Sequence, residues 1–190
     1  MSIIICPGMH EARLTEHFIS ECLSSNSQGF TAKTLGEILV FSGESLLTLS
    51  SIHILQFLRD RLQHELKSPV IFISFSAGVV GAIGAASAWQ ILGGKVIAFI
   101  AIDGWGVPLA GNFPIHRMSH DYFTHWSSAL LGGGSENFYA EPAVEHLSMW
   151  RSPQLVKGWY IDSSIQVSRP PLPQTAKEFL HLLLTRYQQN

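Results

Sequence analysis

Ser76 sits where a serine could be made reactive. It is the centre of Ser74–Phe75–Ser76–Ala77–Gly78, preceded by the apolar run Val70–Ile73 and followed by small residues from Val79 to Ala86. The run reads as a buried strand, the serine as a tight turn, and the Ala/Gly segment as a helix packed closely on that strand. Strand, turn and helix in this order form a nucleophile elbow, usually written G-x-S-x-G. The turn strains its central residue, so the positions two residues away must be small. Ser74 takes the place of the first glycine and Gly78 keeps the second.

A serine hydroxyl is a weak nucleophile at neutral pH. It needs a base, and the base needs an acid to orient it. His146 fits the base, because it follows the short apolar run Asn137–Ala140 in a loop beginning Glu141–Pro142. Asp121 fits the acid, placed just after Pro114–Ser119, and Asp103 is an alternative acid at the end of Val96–Ile102. The plain reading of Asp103 is a turn residue in Asp103–Gly104. His116, His120 and His125 crowd the Asp121 region and compete as base, although ordinary loop and helix-surface histidines look the same. His10 and Trp105 are expected to line the pocket. Most of the aromatics after residue 104 are expected to serve packing.

These residues need elements to bring them together. Ser2–Cys6 reads as a first strand ending in Pro7–Gly8–Met9–His10, and Glu11–Leu23 as a helix. A polar loop is expected over Ser24–Thr34 and a short strand over Ile38–Phe41. Ile52, Leu55, Leu58, Leu62 and Leu66 recur at helical spacing and predict an amphipathic helix. Val70–Ile73 is the elbow strand, Ala77–Leu92 its helix, and Val96–Ile102 the next strand. Beyond it, Pro114–Ser119 and Asn137–Ala140 read as short strands around a helix at Phe123–Leu131. Ser168–Pro173 reads as a stiff connector into a terminal helix with Ala176, Phe179, Leu180, Leu183 and Tyr187 inward. Apolar strands alternating with helices imply a parallel sheet covered on both faces. The expectation is one α/β domain over residues 1–190, a three-layer α/β/α sandwich with a mainly parallel sheet of about 5–6 strands.

The order Ser76, Asp121, His146 resembles the α/β-hydrolase family, whose triad runs nucleophile, acid, histidine. The resemblance covers most of the chain, to about residue 150 plus the terminal helix. It implies an α/β-hydrolase type of fold, in which so short a chain is expected to have room for only a minimal lid. It also implies an oxyanion hole made by the backbone amides of Ala77 and Met9, each contributing roughly 3–4 kcal/mol to transition-state stabilisation. The chain departs from the family at Ser74, and where Pro7–Gly8 replaces the usual His-Gly pair.

Composition narrows the partners. The 190 residues are 46% hydrophobic and 14% charged with a net charge of −2, which offers nucleic acid no basic surface. Gly78, Gly81 and Gly84 form neither a dinucleotide nor a phosphate-loop pattern. Nine histidines and two cysteines show no metal-ligand spacing, so neither a metal nor a cofactor is expected. Cys6 and Cys22 read as reduced buried thiols, and the N-terminus lacks a signal-peptide pattern, which together predict a cytoplasmic protein. Residues 70–94 carry no charge and are long enough to span a bilayer, but their serines, five glycines and β-branched start fit a buried strand and helix better. The expected activity is hydrolysis of a small-molecule acyl ester or thioester through an acyl-enzyme. The alternative is a non-catalytic binding module on the same fold.

Overall fold

A computed structural model describes residues 1–23, 36–42, 45–62, 66–162 and 172–189. In chain order it contains β1 (Ser2–Cys6), α1 (Ala12–Cys22), β2 (Glu37–Val40), a 3₁₀ turn (Ser45–Leu49), α2 (Ser51–Leu62), β3 (Val70–Phe75), α3 (Gly78–Ile91) and β4 (Val96–Ile102). There follow β5 (Ile115–Ser119), α4 (Tyr122–Ala129), β6 (Glu136–Ala140), α5 (Ser148–Arg151), β7 (Lys157–Asp162), β8 (Leu172–Thr175) and α6 (Ala176–Gln189). The polar loop expected at 24–34, and all but the last two residues of the connector expected at 168–173, lie outside the described residues.

All eight strands join one sheet in the order β2-β1-β3-β4-β5-β6-β7-β8. The first six run parallel, and β7 and β8 extend the sheet antiparallel. The sheet is therefore wider than the 5–6 strands expected. The two extra strands hide in the sequence because Lys157–Asp162 is only half apolar and β8 contains Pro173. A proline is tolerated there because β8 is an edge strand, with neighbours on one side only.

Side chains alternate through the sheet into two cores. Ile3, Ile5, Ile71, Ile73, Phe75 and Ile100 pack with Phe18 of α1, Trp150 of α5, and Phe179 and Leu183 of α6. Ile4, Cys6, Phe72, Phe99 and Ala101 pack with Ile54 and Leu58 of α2 and Val79, Ala82 and Ala86 of α3. The layers follow from connection handedness. The chain moves from β1 to β2 in one direction across the sheet and from β3 to β4 in the other. Right-handed crossovers then put α1 and α3 on opposite faces. Loops diverge where the direction switches, between β1 and β3, and such a point leaves a crevice at the carboxyl edge.

Two local expectations change. In α2 the buried stripe is Ile54, Leu58 and Leu62, while Ile52 is 76% exposed. In α3 the glycines do not face the elbow strand. A side chain at Gly81 would meet the Thr48 carbonyl, and one at Gly84 would meet Ser51. They let α3 approach the 3₁₀ turn and α2, while Val79, Ala82 and Ala86 cover the sheet. Among the described residues no helix is long and apolar enough to cross a membrane. The uncharged residues 70–94 are divided between β3 and α3, the buried strand and helix expected there.

Phe138 of β6 stacks on Phe179 of α6 at 5.9 Å, and both are fully buried. Phe138→Ala should cost about 3–5 kcal/mol of stability, read as a lower midpoint in urea denaturation.

Candidate active site

Ser76 leaves β3 with φ +52° and Asp103 leaves β4 with φ +53°, the two described non-glycine residues in the left-handed region. Such backbone costs on the order of 1–3 kcal/mol and persists only where neighbours impose it. Here each residue is hooked to the end of the next strand. The Ser76 amide donates to Ile102 O at 2.9 Å, and the Asp103 amide donates to Met118 O at 2.7 Å. Gly78 makes the elbow possible, because any side chain there would run into the carbonyl oxygens of Cys6 and Pro7. Ser74 is fully buried in β3 and its hydroxyl points to Ile100 O at 3.4 Å, so the departure from glycine is absorbed inside the sheet.

The side chains converge. Ser76 Oγ lies 2.9 Å from His146 Nε2, and His146 Nδ1 lies 2.8 Å from Asp103 Oδ2. A carboxylate only accepts, so Nδ1 donates to Asp103 and Nε2 is left to accept from the serine. His146 reaches this position from the loop after β6, which begins at a cis Glu141–Pro142 bond. Its ring is also held from behind. Phe75 stacks on it at 4.8 Å, Trp150 stacks on Phe75 at 5.0 Å, and Phe18 stacks on Trp150 at 3.8 Å.

Asp121, the acid expected first, is not part of this arrangement. It caps α4, where its Oδ1 accepts from the Thr124 amide at 2.6 Å. The alternative, Asp103, holds the imidazole. Both follow a strand, but Asp103 belongs to the strand directly beside the elbow. Its carboxylate also receives His120, through the backbone amide at 2.9 Å and Nδ1 at 2.9–3.0 Å. The other candidate bases lie elsewhere. His116 is bonded to Tyr187 and to the Glu136 carbonyl, and His125 stacks on Tyr139.

The oxyanion candidates lie beside the serine. The Ala77 amide opens α3, where the helix dipole favours negative charge. Gly8 presses so closely on the elbow that a Cβ there would lie 3.0 Å from Ser76 Cβ, which brings the turn carrying Met9 against it. Neither the Ala77 nor the Met9 amide donates to a described residue. His10 does not reach the cleft wall. Its Nε2 bonds Thr15 Oγ1 at 3.0 Å, its ring packs on Phe75 and Trp150, and burial lowers its pKa, with His146 adding to the shift.

A cleft of ≈ 380 Å³ opens over Ser76, walled by Val80, Trp105, Val107, Phe123 and His120. Wider depressions of ≈ 620 and ≈ 480 Å³ lie beside Phe57 and along α6, but neither contains the hydrogen-bonded chain. Trp105 donates from Nε1 to Ser127 Oγ at 3.1 Å, and Phe123 packs edge-on against Trp126. The wall is braced by buried Arg117, whose guanidinium donates to Gly132 O at 2.7 Å and Val107 O at 3.1 Å. Burial lowers the Arg117 pKa to about 10, which still leaves it cationic at neutral pH.

No family model matches this chain, and no curated protein is similar to it.

Asp103, His120 and His146 also offer three potential metal-ligand atoms within 4.8 Å of one another. Ligand nitrogens 2.0–2.1 Å from a tetrahedral zinc would stand about 3.3 Å apart. The observed 2.8–3.0 Å separations from the Asp103 oxygens are those of direct hydrogen bonds.

Because Asp121 acts as a helix cap, Asp121→Ala should cost about 0.5–2 kcal/mol in urea denaturation, while Asp121→Asn should leave stability near wild type.

Proposed function

We propose that this chain is a serine hydrolase of the α/β-hydrolase type that cleaves a neutral ester or thioester. The observation that carries the reading is the continuous chain from Ser76 Oγ through His146 to Asp103 at 2.9 and 2.8 Å, built from three loops on one sheet edge. Further support comes from the left-handed serine, the helix N-terminus behind it and the apolar cleft in front of it.

Ser76 Oγ attacks the acyl carbon as its proton passes to His146 Nε2, and Asp103 stabilises the imidazolium that results. The amides of Ala77 and Met9 receive the developing oxyanion. His146 then gives its proton to the leaving group as the carbon–heteroatom bond breaks. In the second half, water attacks the acyl-enzyme with His146 again as base, and Ser76 is restored.

Val80, Val107, Trp105 and Phe123 suit an apolar acyl group. Among the described residues no Lys or Arg lines the cleft, so a thioester on a polyanionic carrier finds no countercharge from them, which favours a neutral ester. Cys6 and Cys22 are both free and buried, and burial raises their pKa values, that of Cys22 to about 12, so neither thiol ionises at neutral pH to compete with Ser76 as nucleophile.

A fluorophosphonate probe should label the folded protein at Ser76, and Ser76→Ala should abolish labelling. Asp103→Asn should slow esterase turnover by roughly 10⁴-fold, whereas Asp121→Asn should stay within several-fold of wild type. Failure of the folded protein to label, or unchanged labelling of Ser76→Ala, would overturn the assignment.

A further inference from the structure

Asp103 carries an unusual second imidazole. Its side chain is 1% exposed, so the carboxylate depends on protein donors for both oxygens. Oδ1 accepts from the His120 amide at 2.9 Å, while His120 Nδ1 sits between Oδ1 and Oδ2 at 3.0 and 2.9 Å. His146 Nδ1 takes the remaining side of Oδ2. The His120 carbonyl in turn accepts from the Val144 amide at 3.0 Å, two residues before His146. One residue therefore grips the acid through two donors and the loop of the base through its acceptor.

We propose that His120 is a positioning residue for Asp103, fixing the carboxylate so that Oδ2 faces His146 and setting, by its own charge, how strongly Asp103 supports that base. The proposal rests on the reading of Ser76, His146 and Asp103 as a working triad.

The proton positions follow from the partners. A carboxylate only accepts, so His120 Nδ1 carries a proton in both charge states. The second proton goes to Nε2, which lies 3.7 Å from Asp121 Oδ2. Three titratable groups face the ring: Asp103 from the end of β4, Asp121 from the start of α4, and His146 from the loop after β6, its ring edge-on at 6.0 Å. The bond to Asp103 raises the His120 pKa, burial opposes this, and the charges of Asp103 and Asp121 add to the rise. Protonation keeps the bond but offsets the Asp103 charge, so His146 becomes a poorer base. The most reactive form carries neither the second proton on His120 nor one on the accepting nitrogen of the base, so activity should climb with pH more steeply than a single histidine allows.

The test is the rate of Ser76 modification by a fluorophosphonate in the full chain, followed from about pH 5 to about 8. His120→Phe keeps a ring without a donor, and His120→Asn keeps a donor that does not titrate. Wild type should show a limb steeper than one proton. H120F should label between about 10- and 100-fold more slowly at the upper end. H120N should stay within several-fold of wild type there, with a one-proton limb. Folded H120F that labels at the wild-type rate, or H120N as slow as H120F, would overturn the proposal. If H120F does not fold, H120N decides: a one-proton limb supports the clamp, and a limb as steep as wild type overturns it. Wild type that never labels overturns the hydrolase reading and the clamp with it. Labelling indifferent to residue 120 overturns the clamp alone.

Discussion

The site depends on a buried charge that the backbone alone does not satisfy. Asp103 is almost sealed from solvent at the end of β4, and a carboxylate there must be met by donors. Its donors come from two neighbouring loops, His120 after β5 and His146 after β6. The need to satisfy one anion thus draws together segments that are distant in sequence. The left-handed turn at Asp103 aims the carboxylate, and the bond from its amide to Met118 holds the turn.

The same hook recurs one strand away. Ser76 is bent out of β3 by a bond to the last residue of β4, as Asp103 is bent out of β4 by a bond to β5. Parallel strands ending in register supply a carbonyl beside each departing amide, so the strain in each turn is carried by the sheet rather than by the loop. The two fully packed faces make that support stiff. Helices α1, α5 and α6 on one face and α2 and α3 on the other leave the strand ends little freedom.

Much of this was legible in the sequence. β1 and β4 have the expected limits, because each is an apolar run closed by a proline or a glycine turn. Ser76 and His146 could be placed by their positions after strands. The acid could not be decided that way, since Asp103 and Asp121 both follow strands, and only the lateral order of the sheet separates them. His120 was read as a competing base or an ordinary loop histidine; its contact with Asp103 spans adjacent strand ends and leaves no local pattern. In α2 the apolar residues fit two helical phases, and packing against α3 selects Ile54 over Ile52. The antiparallel pair β7–β8 was hidden because Lys157–Asp162 is only half apolar and the edge strand β8 carries Pro173.

The column of rings behind His146 has a consequence for timing. On the proposed serine-hydrolase reading, an esterified Ser76 Oγ would have no hydrogen left to share with Nε2, and that tether on the imidazole would be gone. Phe75, Trp150 and Phe18 carry no group that takes part in such a reaction, so the stack behind the ring would remain. A ring kept in plane by stacking, with Nδ1 still on Asp103, would stay registered over the acylated serine and would receive the proton of an incoming water without first having to be found again.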